Sequence, residues 1–214
     1  MPCSENPPVL DYMNDRSCKI AEIYFCHALL VAVILIGTAC GGQLYRVKPL
    51  SGPPVDSPTT ASLLDLGIEA RGLDGDRSLE HFEGNLPMAG VLAVEVHLTN
   101  RSTSPLSLGS LNFALFERDG RPCHELTPDR ALRRVMKFYG NRIYQIEAHR
   151  ETVEGYRRIA LPRGGELGAG EVRCGVIFYA IPAQAPLDAG FSLQVNLADE
   201  STRLAITTRD RGER

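Results

Sequence analysis

The 214-residue chain contains no tryptophan, and aromatic residues make up only 7% of it. An aromatic platform for stacking nucleic-acid bases would therefore be thin. Basic residues are not in excess either, because 23 Lys and Arg stand against 26 Asp and Glu, a net charge of −3. We therefore expect no nucleic acid among the partners. Ordinary apolar and charged contents of 43% and 23% exclude a chain that is disordered throughout.

Charged residues are also missing from one continuous stretch, between Glu22 and Arg46. Within it, residues 28–36 are all apolar, and three small residues then lead directly to Cys40. A short apolar run that ends in small residues is typical of a secretory signal peptide and its cleavage site. The cysteine that follows resembles the lipidation site of bacterial lipoproteins. We therefore predict a lipoprotein signal peptide over residues 1–39, lipidation of Cys40, and a membrane-anchored location in the bacterial cell envelope.

Other interpretations of this stretch stay open. An uncharged run of about 20 residues can cross a bilayer as an uncleaved signal anchor, and it could also form a buried core helix. Gly37 stands where lipoprotein signals usually carry Leu, and the leader is long with a charge-mixed start. Translation from Met13 would shorten it to an ordinary length.

Residues 40–60 are rich in Pro and Gly, and we predict a flexible spacer that holds the following domain off the membrane. Over residues 61–214, apolar and polar residues alternate with the period of a strand. The alternation is best in residues 90–99, where the polar face carries Glu95 and His97 and is predicted to be solvated. The other predicted strands cover residues 66–71, 106–108, 110–117, 156–161, 171–181, 191–197 and 202–208. Seven or eight such strands predict a mainly β fold, an immunoglobulin-like antiparallel β-sandwich.

A helical insertion interrupts the strands at about 127–155. Thr127 is a helix N-cap residue and Pro128 suits the first helical position, so we expect a helix that reaches Phe138. We place this insertion on one edge or end of the sandwich. A shorter helix is expected over residues 79–82.

The insertion also concentrates positive charge. Between residues 129 and 163 there are nine Lys or Arg against four Asp or Glu, a net +5, which leaves −8 for the rest of the chain. Such asymmetry indicates a surface for an anionic partner. The alternative is a solvated helix face with local ion pairs. The candidate residues of this patch are Arg130, Arg133, Arg134, Lys137 and Arg142.

Two cysteines, Cys123 and Cys174, remain once the leader and the lipidated position are set aside. An even number of cysteines in an oxidising compartment could form one disulfide. The alternative is that both are small buried hydrophobic residues.

Catalytic and metal-binding motifs are largely missing. The sequence has no Gly-x-Ser-x-Gly turn for a nucleophilic serine and no Cys-x₂-Cys pair for zinc. Asp74, Asp76, Glu80 and Glu83 could gather oxygens for Ca²⁺, but they lack the full pattern of a calcium loop. An enzyme would need several titratable side chains, such as those of Glu95, His97 and His124, to converge in one cleft. We predict no catalytic residues, no metal and no cofactor.

Several short motifs nevertheless carry a family resemblance. A strand ends in Leu98-Thr-Asn100 with Ser102, and Leu167-Gly-Ala-Gly-Glu171 runs into the apolar segment Gly175–Phe178. Over roughly residues 88–183 the chain resembles the immunoglobulin-like domains of uncharacterised bacterial lipoproteins, of the DUF4352 type. The resemblance implies a binding or structural module and supplies no catalytic residues.

Together these features predict a non-enzymatic envelope lipoprotein that acts as a protein-interaction or accessory module at the membrane surface. Its partners would be the membrane, through the lipid anchor, and an envelope protein, met through sheet edges, loops or the basic insertion. The alternatives are a hydrolase that acts on envelope polymers and a carrier of a small ligand or metal.

Overall fold

The computed structural model describes residues 45–50, 59–141, 146–183 and 190–206. Three helices lie in this part of the chain, α1 (Gly75–Phe82), α2 (Pro128–Phe138) and α3 (Ile146–Ile159). Short 3₁₀ turns cover Pro87–Ala89 and Leu108–Ser110. The strands are β1 (Thr59–Leu63), β2 (Leu66–Gly72), β3 (Val91–Asn100), β4 (Leu106–Ser107), β5 (Leu111–Glu117), β6 (Pro122–Cys123), β7 (Glu125–Leu126), β8 (Glu166–Leu167), β9 (Val172–Ala180), β10 (Phe191–Leu197) and β11 (Glu200–Ile206).

The strands form two main antiparallel sheets. One has five strands in the order β1-β2-β3-β9-β7, the other has four in the order β11-β10-β5-β6, and β4 and β8 pair separately. Apolar residues of both main sheets form one buried cluster, in which Val94 and Leu98 of β3 join Leu115 of β5 and Leu193 of β10. Each such side chain contributes about 1.5–3 kcal/mol on burial. The prediction of a mainly β, antiparallel fold is confirmed.

The helices form a further layer on the outer face of the five-stranded sheet. A second apolar cluster joins Ala93 and Phe178 of the sheet to Phe82 of α1, Val135 of α2 and Tyr156 of α3. The ring centroid of Tyr156 lies 5.2 Å from that of Phe82 and 5.5 Å from that of Phe178. The insertion therefore covers a sheet face. The prediction that it lies on an edge or end of the sandwich is wrong.

Helix α2 begins as its sequence predicts. The Thr127 side chain accepts a hydrogen bond from the Arg130 amide, Pro128 occupies the first turn, and the helix ends at Phe138. The strand predicted over residues 156–161 is wrong, because α3 continues to Ile159. Ala148, Tyr156 and Ile159 are buried at helical spacing, which turns one side of α3 toward the sheet.

Residues 45–50 pack against the helices, although they fall within the predicted spacer over 40–60. The Lys48 amide donates to the His81 carbonyl oxygen at 2.8 Å, and the Val47 side chain lies against Gly155. Residues 59 and 60 already belong to β1. The rest of the spacer, 40–44 and 51–58, lies outside the described residues, as do the predicted signal peptide and Cys40. In the described part of the chain, no helix is long and apolar enough to cross a membrane.

Candidate binding surface

The outer side of α2 carries four of the five predicted patch residues. Ala131, Leu132, Val135 and Met136 are buried against the sheet. Because a helix turns by 3.6 residues, the cations between them project to the opposite side. These cations are all exposed, and we call them the basic surface: Arg130, Arg133, Arg134 and Lys137. Arg142 lies outside the described residues.

The cations of the basic surface differ from other arginines of the insertion in their partners. Arg157 on α3 pairs with Asp129 at 3.1 Å and with Glu154 at 2.8 Å. Arg163 pairs with Glu125 at 2.5 Å. Within the described residues, no carboxylate comes within ion-pair distance of the four cations of the basic surface.

Two of these cations contact backbone carbonyl groups. The Arg133 side chain donates to the carbonyl oxygen of Asp129 at 3.3 Å, and the Arg134 guanidinium donates to that of Gly90 at 3.1 Å. Neutral carbonyl groups leave the positive charge in place. Because no described carboxylate offsets it, the basic surface presents charge of a single sign to solvent.

Exposed apolar side chains border the basic surface, and we call them the aromatic rim: Met88, Phe138 and Tyr139. Their exposed fractions are 39%, 41% and 41%. The Phe138 and Tyr139 rings meet edge to face at 5.0 Å. The Tyr139 hydroxyl accepts a hydrogen bond from the backbone N–H of Asn85 at 2.9 Å. This bond connects the end of α2 to the turn that carries Met88. A charged surface beside exposed apolar groups is typical of an interaction site.

The first described residue of the chain joins this same end of α2. The Tyr45 ring lies 5.7 Å from that of Tyr139, and the Asn141 side-chain amide donates to the Tyr45 hydroxyl at 2.5 Å. Burial and, secondarily, the neighbouring Tyr139 raise the pKa of Tyr45 to about 12. The chain that leads to the described domain therefore enters beside the aromatic rim.

Glu95 and His97 do not form the solvated strand face that the sequence predicted. They are only 2% and 5% exposed. One Glu95 carboxylate oxygen accepts from the Arg71 guanidinium at 2.6 Å, and the other lies 3.0 Å from the His97 Nε2. Burial acts to raise the pKa of Glu95, but the hydrogen bond to His97 and the charge of Arg71 outweigh it and hold this pKa below its ordinary value. The three side chains thus form one network, in which Arg71 and Glu95 are an ion pair and Glu95 and His97 share a hydrogen bond.

His124 lies far from that network. His97 of β3 is in register with Cys174 of β9, whereas the His124 carbonyl oxygen accepts from the Ala180 amide at the other end of β9. The six residue steps from Cys174 to Ala180 extend for about 20 Å at roughly 3.3 Å per residue. The structure therefore does not bring Glu95, His97 and His124 together in one cleft.

The disulfide considered between Cys123 and Cys174 is not formed, and both thiols are free. Cys123 on β6 packs against the core between the sheets, and burial, with a smaller contribution from Glu117, raises the pKa of its thiol to about 11. Cys174 pairs with His97 on the opposite, outer face of the five-stranded sheet and is exposed. The five-stranded sheet thus separates the two side chains.

The acidic residues considered for Ca²⁺ serve helix α1. The Asp74 carboxylate caps the helix by accepting from the Arg77 amide at 2.9 Å, and Asp76 lies in the first turn. Among the residues that the structure describes, no group of three or more His, Cys, Asp or Glu side chains is arranged to hold a metal ion.

No family model and no curated protein matches the chain. Among solved structures it is similar to the yjhA protein from Bacillus subtilis, with a TM-score of 0.38 and 12% identity over 69% of this chain and 95% of that one. It is also similar to a conserved hypothetical protein from Bacillus anthracis, with a TM-score of 0.38 and 12% identity over 70% and 94% of the two chains. Similarity of this degree identifies neither a family nor a function.

Proposed function

We propose that this chain is a bacterial envelope lipoprotein, anchored through Cys40, whose domain works as a non-enzymatic interaction or accessory module at the membrane surface. The observation that carries the proposal is the basic surface, four exposed cations without a described counter-ion beside an aromatic rim. Clustered charge of one sign attracts and orients an anionic partner. Two antiparallel sheets around one core support the finer proposal that the sandwich is immunoglobulin-like.

The arrangement of the titratable groups supports a non-enzymatic role. Glu95 and His97 are hydrogen-bonded to each other in the interior, and Arg71 occupies the second carboxylate oxygen of Glu95. The raised pKa of Cys123 keeps its thiol protonated at neutral pH, and a protonated thiol is a poor nucleophile. An envelope protein remains the proposed partner, to be met through sheet edges, loops or the basic surface.

The partner-binding role is tested by removing the charge of the basic surface. We expect that Arg133→Ser, Arg134→Ser and Lys137→Ser together weaken retention of anionic envelope components, phospholipid or protein, by the immobilised protein. Circular dichroism should show an unchanged fold, because these side chains are exposed.

A matched control removes the same charge elsewhere. Arg118, Arg121 and Arg203 are also exposed and lie by the four-stranded sheet. Their replacement by Ser changes the net charge equally and should leave retention unchanged. If both triple variants retain the same components as the unmodified protein, the basic surface has no binding role.

Anchoring is tested at the cysteine itself. Cys40→Ala should abolish processing and lipid attachment, so that a longer protein accumulates in a different membrane fraction. Metabolic labelling with a fatty acid measures the attachment directly, and Cys174→Ala is the control because that thiol lies in the folded domain. Unchanged processing, fractionation and labelling of Cys40→Ala would refute lipidation.

A further inference from the structure

We infer that the occupant of the basic surface and aromatic rim is the anionic phospholipid surface of the bilayer that holds the protein's own anchor. The inference rests on the proposed anchoring at Cys40. It adds an orientation, in which α2 faces the membrane and the four-stranded sheet faces away from it. A protein partner would then be met through the remaining sheet edges and loops.

The tether, which is the chain between Cys40 and Tyr45, is short. Only five residue steps separate Cys40 from Tyr45, whose ring already packs on Tyr139 at the end of α2. A fully extended chain spans at most about 3.6 Å per residue, so this tether reaches about 18 Å. An acylated cysteine lies at the bilayer surface, and Tyr45 therefore stays within that distance of it.

The folded domain is wider than the tether is long. A compact chain of this length has a radius of gyration of about 15 Å, which corresponds to a diameter of roughly 40 Å. The tether is less than half as long. The anchored domain therefore cannot turn the end of α2 away from the bilayer and present its opposite side.

The side chains of the basic surface and the aromatic rim suit an anionic bilayer. Lysine and arginine near a bilayer gain energy from anionic headgroups within about one Debye length, roughly 8–10 Å. Aromatic side chains such as Phe138 and Tyr139 suit the boundary between headgroups and acyl chains. The short tether keeps the basic surface at a high effective concentration near the lipid, so that weak individual contacts suffice. An acidic protein would have to displace this resident partner.

The absence of tryptophan allows a direct measurement. In the Phe138→Trp variant the single tryptophan marks the aromatic rim. In the Phe116→Trp variant it marks the outer face of the four-stranded sheet, where Arg203 lies over the Phe116 ring. Each full-length, lipidated variant is reconstituted into vesicles of phosphatidylcholine with phosphatidylglycerol, or of phosphatidylcholine alone. Brominated lipid serves as the quencher.

We expect strong quenching of the Phe138→Trp variant in the anionic vesicles and little quenching of the Phe116→Trp variant. Adding the Ser substitutions at Arg133, Arg134 and Lys137 should lower the ratio of docked to undocked protein on the order of 100-fold. Salt of about 1 M, where the Debye length is roughly 3 Å, should also weaken the quenching.

The outcomes separate this inference from the proposed function. A protein that floats with the vesicles but shows equal quenching of both tryptophan variants is anchored and not docked, and overturns only the inference. Equal quenching of the Phe138→Trp variant in neutral and anionic vesicles overturns the role of the cations. If the purified protein does not float with the vesicles at all, the anchoring proposal and the inference fail together. Quenching that appears only after addition of an envelope extract would point to an acidic protein and refute the lipid as the occupant.

Discussion

The buried network around Glu95 offers the sharpest test of the structure. Glu95→Gln keeps the size and shape of the side chain but removes its charge. The guanidinium of Arg71, whose side chain is 13% exposed, then loses its carboxylate partner at 2.6 Å. Removal of one member of a buried ion pair typically costs about 3–5 kcal/mol. Since the glutamine can still accept hydrogen bonds, we expect the lower end, about 3 kcal/mol.

Thermal unfolding followed by circular dichroism measures this loss. For a chain of this size, about 3 kcal/mol lowers Tm by roughly 6–12 °C. Glu154→Gln is the matched control, because its pair with Arg157 is about half exposed on both sides. Exposed pairs contribute little to stability, so this variant should unfold like the unmodified protein.

The same network predicts a pH dependence. A glutamate whose pKa is lowered by folding stabilises the folded state above its unfolded pKa, about 4.3, and loses that contribution as the pH falls through the folded value. The stability gap between the unmodified protein and Glu95→Gln should therefore be widest above about pH 5 and narrow in acid. Equal stability of the two proteins at neutral pH, or a gap that does not narrow in acid, would refute the buried ion pair.

The remaining predictions concern the cysteines and one glycine. Site-resolved alkylation should modify exposed Cys174 rapidly and Cys123 slowly, because burial raises the pKa of the latter to about 11; a pair that reacts only after reduction would instead indicate a disulfide. Gly175→Ala should destabilise by about 1–3 kcal/mol or more in thermal unfolding, since a Cβ there would lie 2.5 Å from the Leu161 Cα. Gly164→Ala, where a Cβ would meet nothing within 4 Å, should be neutral, and equal stability of both variants would show that β9 tolerates the added group.

Local pattern predicted those elements whose residues alone decide their structure. Residues 90–99 alternate with period two, and β3 occupies Val91–Asn100. A cap and a proline set the start of α2 at Pro128. The end of α3 was predicted as a strand, because the short apolar pattern of residues 156–161 fits a strand as well as a helix. The helical assignment becomes clear only with Ala148, which lies two turns earlier on the same buried side.

The burial of the outer face of β3 was also not predicted, but the reason differs from the one that applies to α3. Alternation with Glu95 and His97 is the ordinary signature of a sheet with one face in water. The residue that makes burial tolerable is Arg71, which comes from β2 and pairs with Glu95 across the sheet. Register between strands is a tertiary property that the local pattern does not contain. The alternation therefore predicts that Glu95 and His97 face solvent, whereas both side chains are buried.

The candidate surface divides in the same way between local and tertiary information. Helical spacing alone places the cations of α2 on one side. The position of Tyr45 against Tyr139, 94 residues later, is a tertiary contact that no local pattern reports. That contact reverses the expected role of the spacer. A free chain over residues 40–60 would reach about 70 Å at roughly 3.6 Å per residue and would hold the domain clear of the bilayer. With Tyr45 packed on the domain, the reach from Cys40 falls to about 18 Å. The anchor that we propose at Cys40 would therefore hold the basic surface near the lipid and would not keep it away.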